Sequence, residues 1–196
     1  MKKFACWMLV MVFVSNGVWA KVVEIPDSNF RKSLEQALGI IENGEEMTKE
    51  VLAKLTILDA NNRQIKNLSG IESCINLTEL YLSGNQVTDL SGLAGANLAY
   101  LKTLNLDQNQ IKALTGLAEA NLPSLAFLNL YGNQLTDLSG LAGANLPSLF
   151  GLYLDQNQMK DLTGLAEANL PSLAKLALYG NQLTDLSGLA GANLPG

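Results

Sequence analysis

Histidine is absent from the 196-residue chain, and cysteine occurs only as Cys6 and Cys74. The first absence removes the side chain whose ordinary pKa lies nearest neutrality, and with it the commonest general base and metal ligand. The second excludes a disulfide framework and a multi-thiol metal site. Basic residues number 13 against 18 acidic and form no run, so the chain is a poor ligand for nucleic acid or anionic lipid. No glycine-rich phosphate loop and no metal-ligand spacing occurs, so no cofactor, metal or catalytic machinery is expected. The best acid pair, Asp107 and Asp155, falls two strands apart, about 10 Å at the backbone, on an open wet face. Each reads by default as a surface aspartate.

Long apolar runs are also scarce. The one at the N-terminus, Phe4 to Val14, is shorter than the ~20 residues a membrane helix needs. Lys2 and Lys3 precede it, and Val18-Trp19-Ala20 follows with small residues where signal peptidase requires them. This pattern predicts a secretory signal over residues 1–20, cleaved after Ala20. The mature chain would then be secreted, periplasmic or held at the cell surface, with no membrane insertion. Cleavage removes Trp7, Trp19, Cys6, Lys2 and Lys3, leaving a net charge of −7 and Cys74 as the sole thiol. Stability must then come from packing rather than disulfides, with Cys74 as a small buried apolar side chain.

What the chain has in abundance is repetition. The eighteen residues from Leu130 to Pro147 recur unchanged from Leu178 to Pro195. Segments beginning at Leu55, Leu77, Leu101, Leu125, Leu149 and Leu173 share the template L-x-x-L-x-L-x-x-N-x-aliphatic; the first step is 22 residues and the others are 24. Six matches in register resemble the leucine-rich repeat, and IPDSNFRKSLEQALGI with MTKEVLAKLTIL resembles the helical cap of bacterial, internalin-like members. The resemblance implies an α/β solenoid: a horseshoe with a parallel β-sheet on its concave face and turns or short helical pieces on its convex face. The domains expected are a signal at 1–20, a helical cap at 21–54 and repeats at 55–196, the last incomplete.

The template has a direct physical reading. Alternating residues of a strand point to opposite sides, so Leu104 and Leu106 enter a core while their neighbours meet solvent. One copy cannot bury its leucines alone, so copies stack. Asn85, Asn109, Asn133, Asn157 and Asn181 fall where the chain leaves each strand and are expected to bond backbone groups that the turn leaves unpaired, as a buried ladder. Arg63 replaces the first of these asparagines, which suggests that the cap covers that end. Asp27 or Ser28 can cap a helix carrying Phe30, Leu34 and Leu38 on one face and ended by Gly39, with a second helix begun near Thr48. Leu176, Leu178, Leu183 and Leu186 lack a following copy, and this open edge predicts self-association through the C-terminal end.

The duplication has a longer unit as well. Copies three and five share DQNQ and LTGLAEANLPSL, and copies two, four and six share GNQ and TDLSGLAGANL, so pairs of copies, 48 residues, were duplicated together. The paired copies differ mostly at outward strand positions, such as Phe127/Lys175, Lys102/Phe150 and Asn105/Tyr153. Convex positions such as Glu119/Glu167 have not changed. The concave face thus collects Tyr81, Phe127, Tyr131, Phe150, Tyr153 and Tyr179, interleaved with Lys102, Asp107, Asp155 and Lys175. Exposed aromatics among single charges suit a protein-binding surface. The leading expectation is an exported binding module for a protein partner, which by resemblance to internalins is a host or neighbouring-cell surface protein. A self-assembling envelope component and a glycan binder are the alternatives.

Overall fold

The computed structural model describes residues 11–13, 19–40, 45–190 and 192. Strands β1 (Met11–Phe13) and β2 (Trp19–Lys21) pair antiparallel, with Met11 opposite Lys21. The rest is built around one six-stranded sheet: β3 (Ile57–Asp59), β4 (Glu79–Tyr81), β5 (Thr103–Asn105), β6 (Phe127–Asn129), β7 (Gly151–Tyr153) and β8 (Lys175–Ala177). All its pairings are parallel and follow chain order. Each strand is only three residues long, one inward leucine between two outward residues. The register sets Leu58, Leu80, Leu104, Leu128, Leu152 and Leu176 side by side. The first five are fully buried and Leu176 partly so. The result is a parallel-strand solenoid whose core grows by one layer per copy.

The ladder asparagines fasten the layers together. Asn133 donates from Nδ2 to Leu106 O of the preceding copy and to Leu130 O of its own, both at 3.0 Å, and accepts from Ile111 N at 2.9 Å. Asn85, Asn109 and Asn157 repeat this arrangement and are buried, while Asn181 repeats it half-buried. An asparagine suits the place because its amide offers both an acceptor and two donors on a short stem. Arg63 has no such part: its own N–H donates to Asn85 Oδ1 at 3.0 Å, and its side chain is exposed.

Two helices precede β3, the first packed against that strand and the second against the first. Helix α1 (Ser28–Leu38) is capped by Asp27, not Ser28, and ends at Gly39, whose φ of 67° no side-chained residue adopts cheaply. Helix α2 (Lys49–Leu52) is capped by Thr48. Phe30, Leu34 and Leu52 are fully buried and continuous with the leucine core, and Leu38 is partly buried against it. Asp27 does more than cap. Its Oδ1 accepts from Asn29 N and Phe30 N, and its Oδ2 from Lys66 N at 2.7 Å and Asn67 N at 3.1 Å in the first copy. Partial burial pulls its pKa upward, but these four backbone N–H groups outweigh that and hold it below the usual carboxylate range. One carboxylate thus ties the helix to the first turn of the array.

The return segments reveal why glycine recurs in them. A Cβ on Gly116 would come within 2.3 Å of Leu90 O, and one on Gly164 within 2.1 Å of Leu138 O, so neighbouring copies meet there backbone to backbone. Those two glycines, in the Thr-Gly-Leu copies, hold φ of 95° and 96°, whereas the Ser-Gly-Leu copies instead form 3₁₀ turns at Ser91–Leu93, Ser139–Leu141 and Ser187–Leu189. Isolated parallel bridges join Asn97 to Asn121 and Asn145 to Asn169, each backed by an amide-to-amide bond of 2.7 Å. Cys74 is fully buried, and desolvation, with a lesser push from the Glu72 carboxylate, drives its thiol up to about 12.

Candidate functional site

The register defines two outward rows across the sheet. One runs Ile57, Glu79, Thr103, Phe127, Gly151, Lys175; the other Asp59, Tyr81, Asn105, Asn129, Tyr153, Ala177. The two halves of this face differ chemically. Over β3 to β5 it is acidic: the Tyr81 hydroxyl donates to Glu79 Oε2 at 2.5 Å, and that bond, with Asp59 nearby, raises the phenol's pKa. Ser83 Oγ donates to the Asp107 carboxylate at the next turn.

Over β6 to β8 the face is aromatic and basic. Phe127 and Phe150 meet edge to face with centroids 6.0 Å apart, an arrangement that opposes a ring's positive edge to the other's negative face. They remain 41% and 49% exposed. Lys175 Nζ lies 4.8 Å from the centroid of the Tyr153 ring, within cation–π range. Gly151 makes the cluster close: an added Cβ would sit 2.9 Å from Tyr153 Cε2 and 3.1 Å from Phe127 Cδ1. Tyr153 therefore folds across a place where the neighbouring strands carry side chains. Pre-set rings lose little rotamer freedom when a partner docks.

The remaining residues singled out in the sequence are dispersed around this cluster. Tyr131 and Tyr179 lie in the turns just past the strands, 40% and 80% exposed. Their backbone N–H groups donate to Asn129 Oδ1 and Asp155 Oδ1, at 3.1 and 2.8 Å. Asp155 is thus occupied in joining copies five and six. Lys102 is exposed ahead of β5, and Tyr81 stands two strands from Phe127. Asp107 and Asp155 each satisfy a protein donor, the Ser83 hydroxyl and the Tyr179 N–H, and among the described residues no second acid is joined to either by a hydrogen bond. Three residues that the sequence did not single out for partner binding belong with the face: Gly151, Glu79 and Ile57, the last 51% exposed on β3. Gly151 carried a usable signal, since glycine at an outward strand position marks close approach by something else.

The leucine-rich-repeat family model matches residues 75–135 and 100–159, and a model of two leucine-rich-repeat copies matches residues 53–95. No curated protein matches the chain. Among solved structures, an internalin, inlF, from Listeria monocytogenes is 27% identical with a TM-score of 0.55, over 85% of this chain and 60% of that one. Internalin C2 from the same organism is 28% identical with a TM-score of 0.42, over 86% of this chain and 91% of that one. The chain spans 60% of the first structure's length. With the template repeated six times, the strands stacked in one parallel sheet and the family model matched along the array, the chain belongs to the leucine-rich-repeat family and is internalin-like.

Proposed function

We propose that the chain is exported under a signal at residues 1–20, capped by residues 21–54, and binds a protein of another cell's surface on the concave, outward face of its sheet. The observation that carries this reading is the cluster of Phe127, Phe150, Tyr153 and Lys175: rings ordered by one another and by Gly151, yet open to solvent. Aromatic anchors of this kind dominate binding energy at protein interfaces, with charges at the rim adding specificity. The acidic half, at Asp59, Glu79 and Asp107, then favours a partner whose corresponding part is basic.

The test is a titration of labelled exported protein on intact cells of a candidate host and of neighbouring bacteria. Saturable binding should be abolished by protease treatment of the cells and weakened about tenfold or more by Phe150→Ala or Tyr153→Ala. Binding lost to glycosidase instead assigns the face to a glycan. Binding undiminished by either substitution places the contact elsewhere on the molecule.

A further inference from the structure

The flank beyond the asparagine ladder carries a pattern that the sheet face does not use. After each ladder position the chain runs Gln, an aliphatic residue, then Lys or Thr. The aliphatic residues Ile65, Val87, Ile111, Leu135 and Met159 are fully buried, so the residues on either side point outward together. Backbone bonds hold adjacent copies side by side here, from Gln86 N to Ile65 O at 2.8 Å through Gln182 N to Met159 O at 2.9 Å. Lys112 N to Thr88 O and Lys160 N to Thr136 O, at 3.0 and 3.2 Å, do the same one row further on. The flank therefore presents straight rows, with glutamine in every copy and lysine in every second one.

Charge alternates along these rows. Odd copies carry Lys66, Lys112 and Lys160; even copies carry Asp89, Asp137 and Asp185, one residue further along and beside a threonine. Among the described residues the ion pairs are Arg31–Glu35 and Lys54–Glu45, so neither set closes onto the other within the chain. The aspartates are held in place: their Oδ1 atoms accept from Ser91 N, Ser139 N and Ser187 N at 2.9, 2.9 and 2.8 Å.

A row that alternates from copy to copy is self-complementary about a two-fold axis placed between any two adjacent copies. A two-fold axis lying in the contact plane and crossing the rows between copies three and four sets copy one against six, two against five and three against four. Each lysine then faces a threonine, Lys66 to Thr184, Lys160 to Thr88 and Lys112 to Thr136, with the adjoining aspartate within reach. The glutamine rows face each other, and their amides can both donate and accept. Running the rows parallel would oppose lysine to lysine instead. We infer that this flank is a homotypic contact through which two copies of the chain associate antiparallel, separate from the partner-binding face. Six copies at ~4.8 Å and a width of ~15 Å give roughly 400 Å² a side, half that of a standard interface, so the contact is reversible and salt-sensitive.

Sedimentation equilibrium of the exported protein tests it. A monomer–dimer equilibrium is expected at low ionic strength, shifting to monomer as salt is added. The triple variant Lys66→Glu, Lys112→Glu, Lys160→Glu should be monomeric, and mixing it with Thr88→Lys, Thr136→Lys, Thr184→Lys should restore dimers as heterodimers. Asp161 is the one charge that breaks the alternation, placing a carboxylate opposite Asp89. Asp161→Ala, which copies Ala113 of the third copy, should therefore tighten the dimer several-fold. All these side chains lie outside the core, and matched thermal unfolding will verify that the variants fold. A wild-type protein monomeric at every concentration in low salt overturns the inference, as does association that the triple lysine substitution leaves unchanged.

Discussion

Asn133 and Asn129 lie four residues apart and differ in what they hold. Asn133 satisfies two carbonyls and one N–H in a place closed to water, whereas Asn129 accepts one bond from Tyr131 N at the surface. Removing a buried partner strands the groups it served, and water replaces a lost surface bond. Asn133→Ala should cost ~1 to 3 kcal/mol in denaturant unfolding, and Asn129→Ala no more than about 0.5 kcal/mol. Equal losses would show that the ladder does not bear on stability. Ladder positions could be read from spacing alone because the template fixes where the backbone turns out of the strand. The Tyr153–Gly151 stacking could not, since it depends on which way a ring folds once an adjacent strand lacks a side chain.

At the scale of the repeat, the 48-residue unit acquires a physical cause. The residue before each ladder asparagine is left-handed: Gln108 and Gln156 in odd copies, at φ of 55° and 56°, and Gly84, Gly132 and Gly180 in even ones. Each glutamine reaches across the glycine that follows it, so that a Cβ on Gly132 would meet Gln108 Nε2 at 2.4 Å and one on Gly180 would meet Gln156 Nε2 at 2.5 Å. Asn62 occupies the same place over Gly84. A side chain in one copy uses the room left by its absence in the next. Gly132→Ala should lose about 1 kcal/mol from the left-handed backbone plus the displacement of Gln108. Adding Gln108→Gly should return the second part, so the double-mutant cycle should be non-additive; strict additivity would show that the two residues do not compete. The sequence displayed the alternation openly, but its reason needed the distance between neighbouring turns. From copy two to copy six the 3₁₀ turns likewise alternate with the positive-φ glycines of the Thr-Gly-Leu copies, a conformational difference no periodicity reports.

For the whole molecule, the decisive boundary is where the core begins. Val23 is the first buried residue described; its N–H donates to Met47 O at 2.8 Å, and Val22 bridges Thr48. From there the buried side chains run without a break into the leucine stack. Strand β2, by contrast, pairs with β1, and a lone two-stranded hairpin adds little stability in water. Cleavage after Ala20 would cut within β2, before Lys21, and leave in place every core residue among those described. Both tryptophans, Trp7 and Trp19, lie on the side removed. Protein recovered from an exporting cell should therefore begin at Lys21, show tyrosine emission without an indole component, and unfold at the same temperature as the chain that retains residues 1–20. Indole emission from a homogeneous exported sample would rule out cleavage at Ala20. A lower unfolding temperature after processing would mean instead that the hairpin contributes to the fold, and that the array needs more at its N-terminal end than α1, α2 and the Asp27 clasp provide.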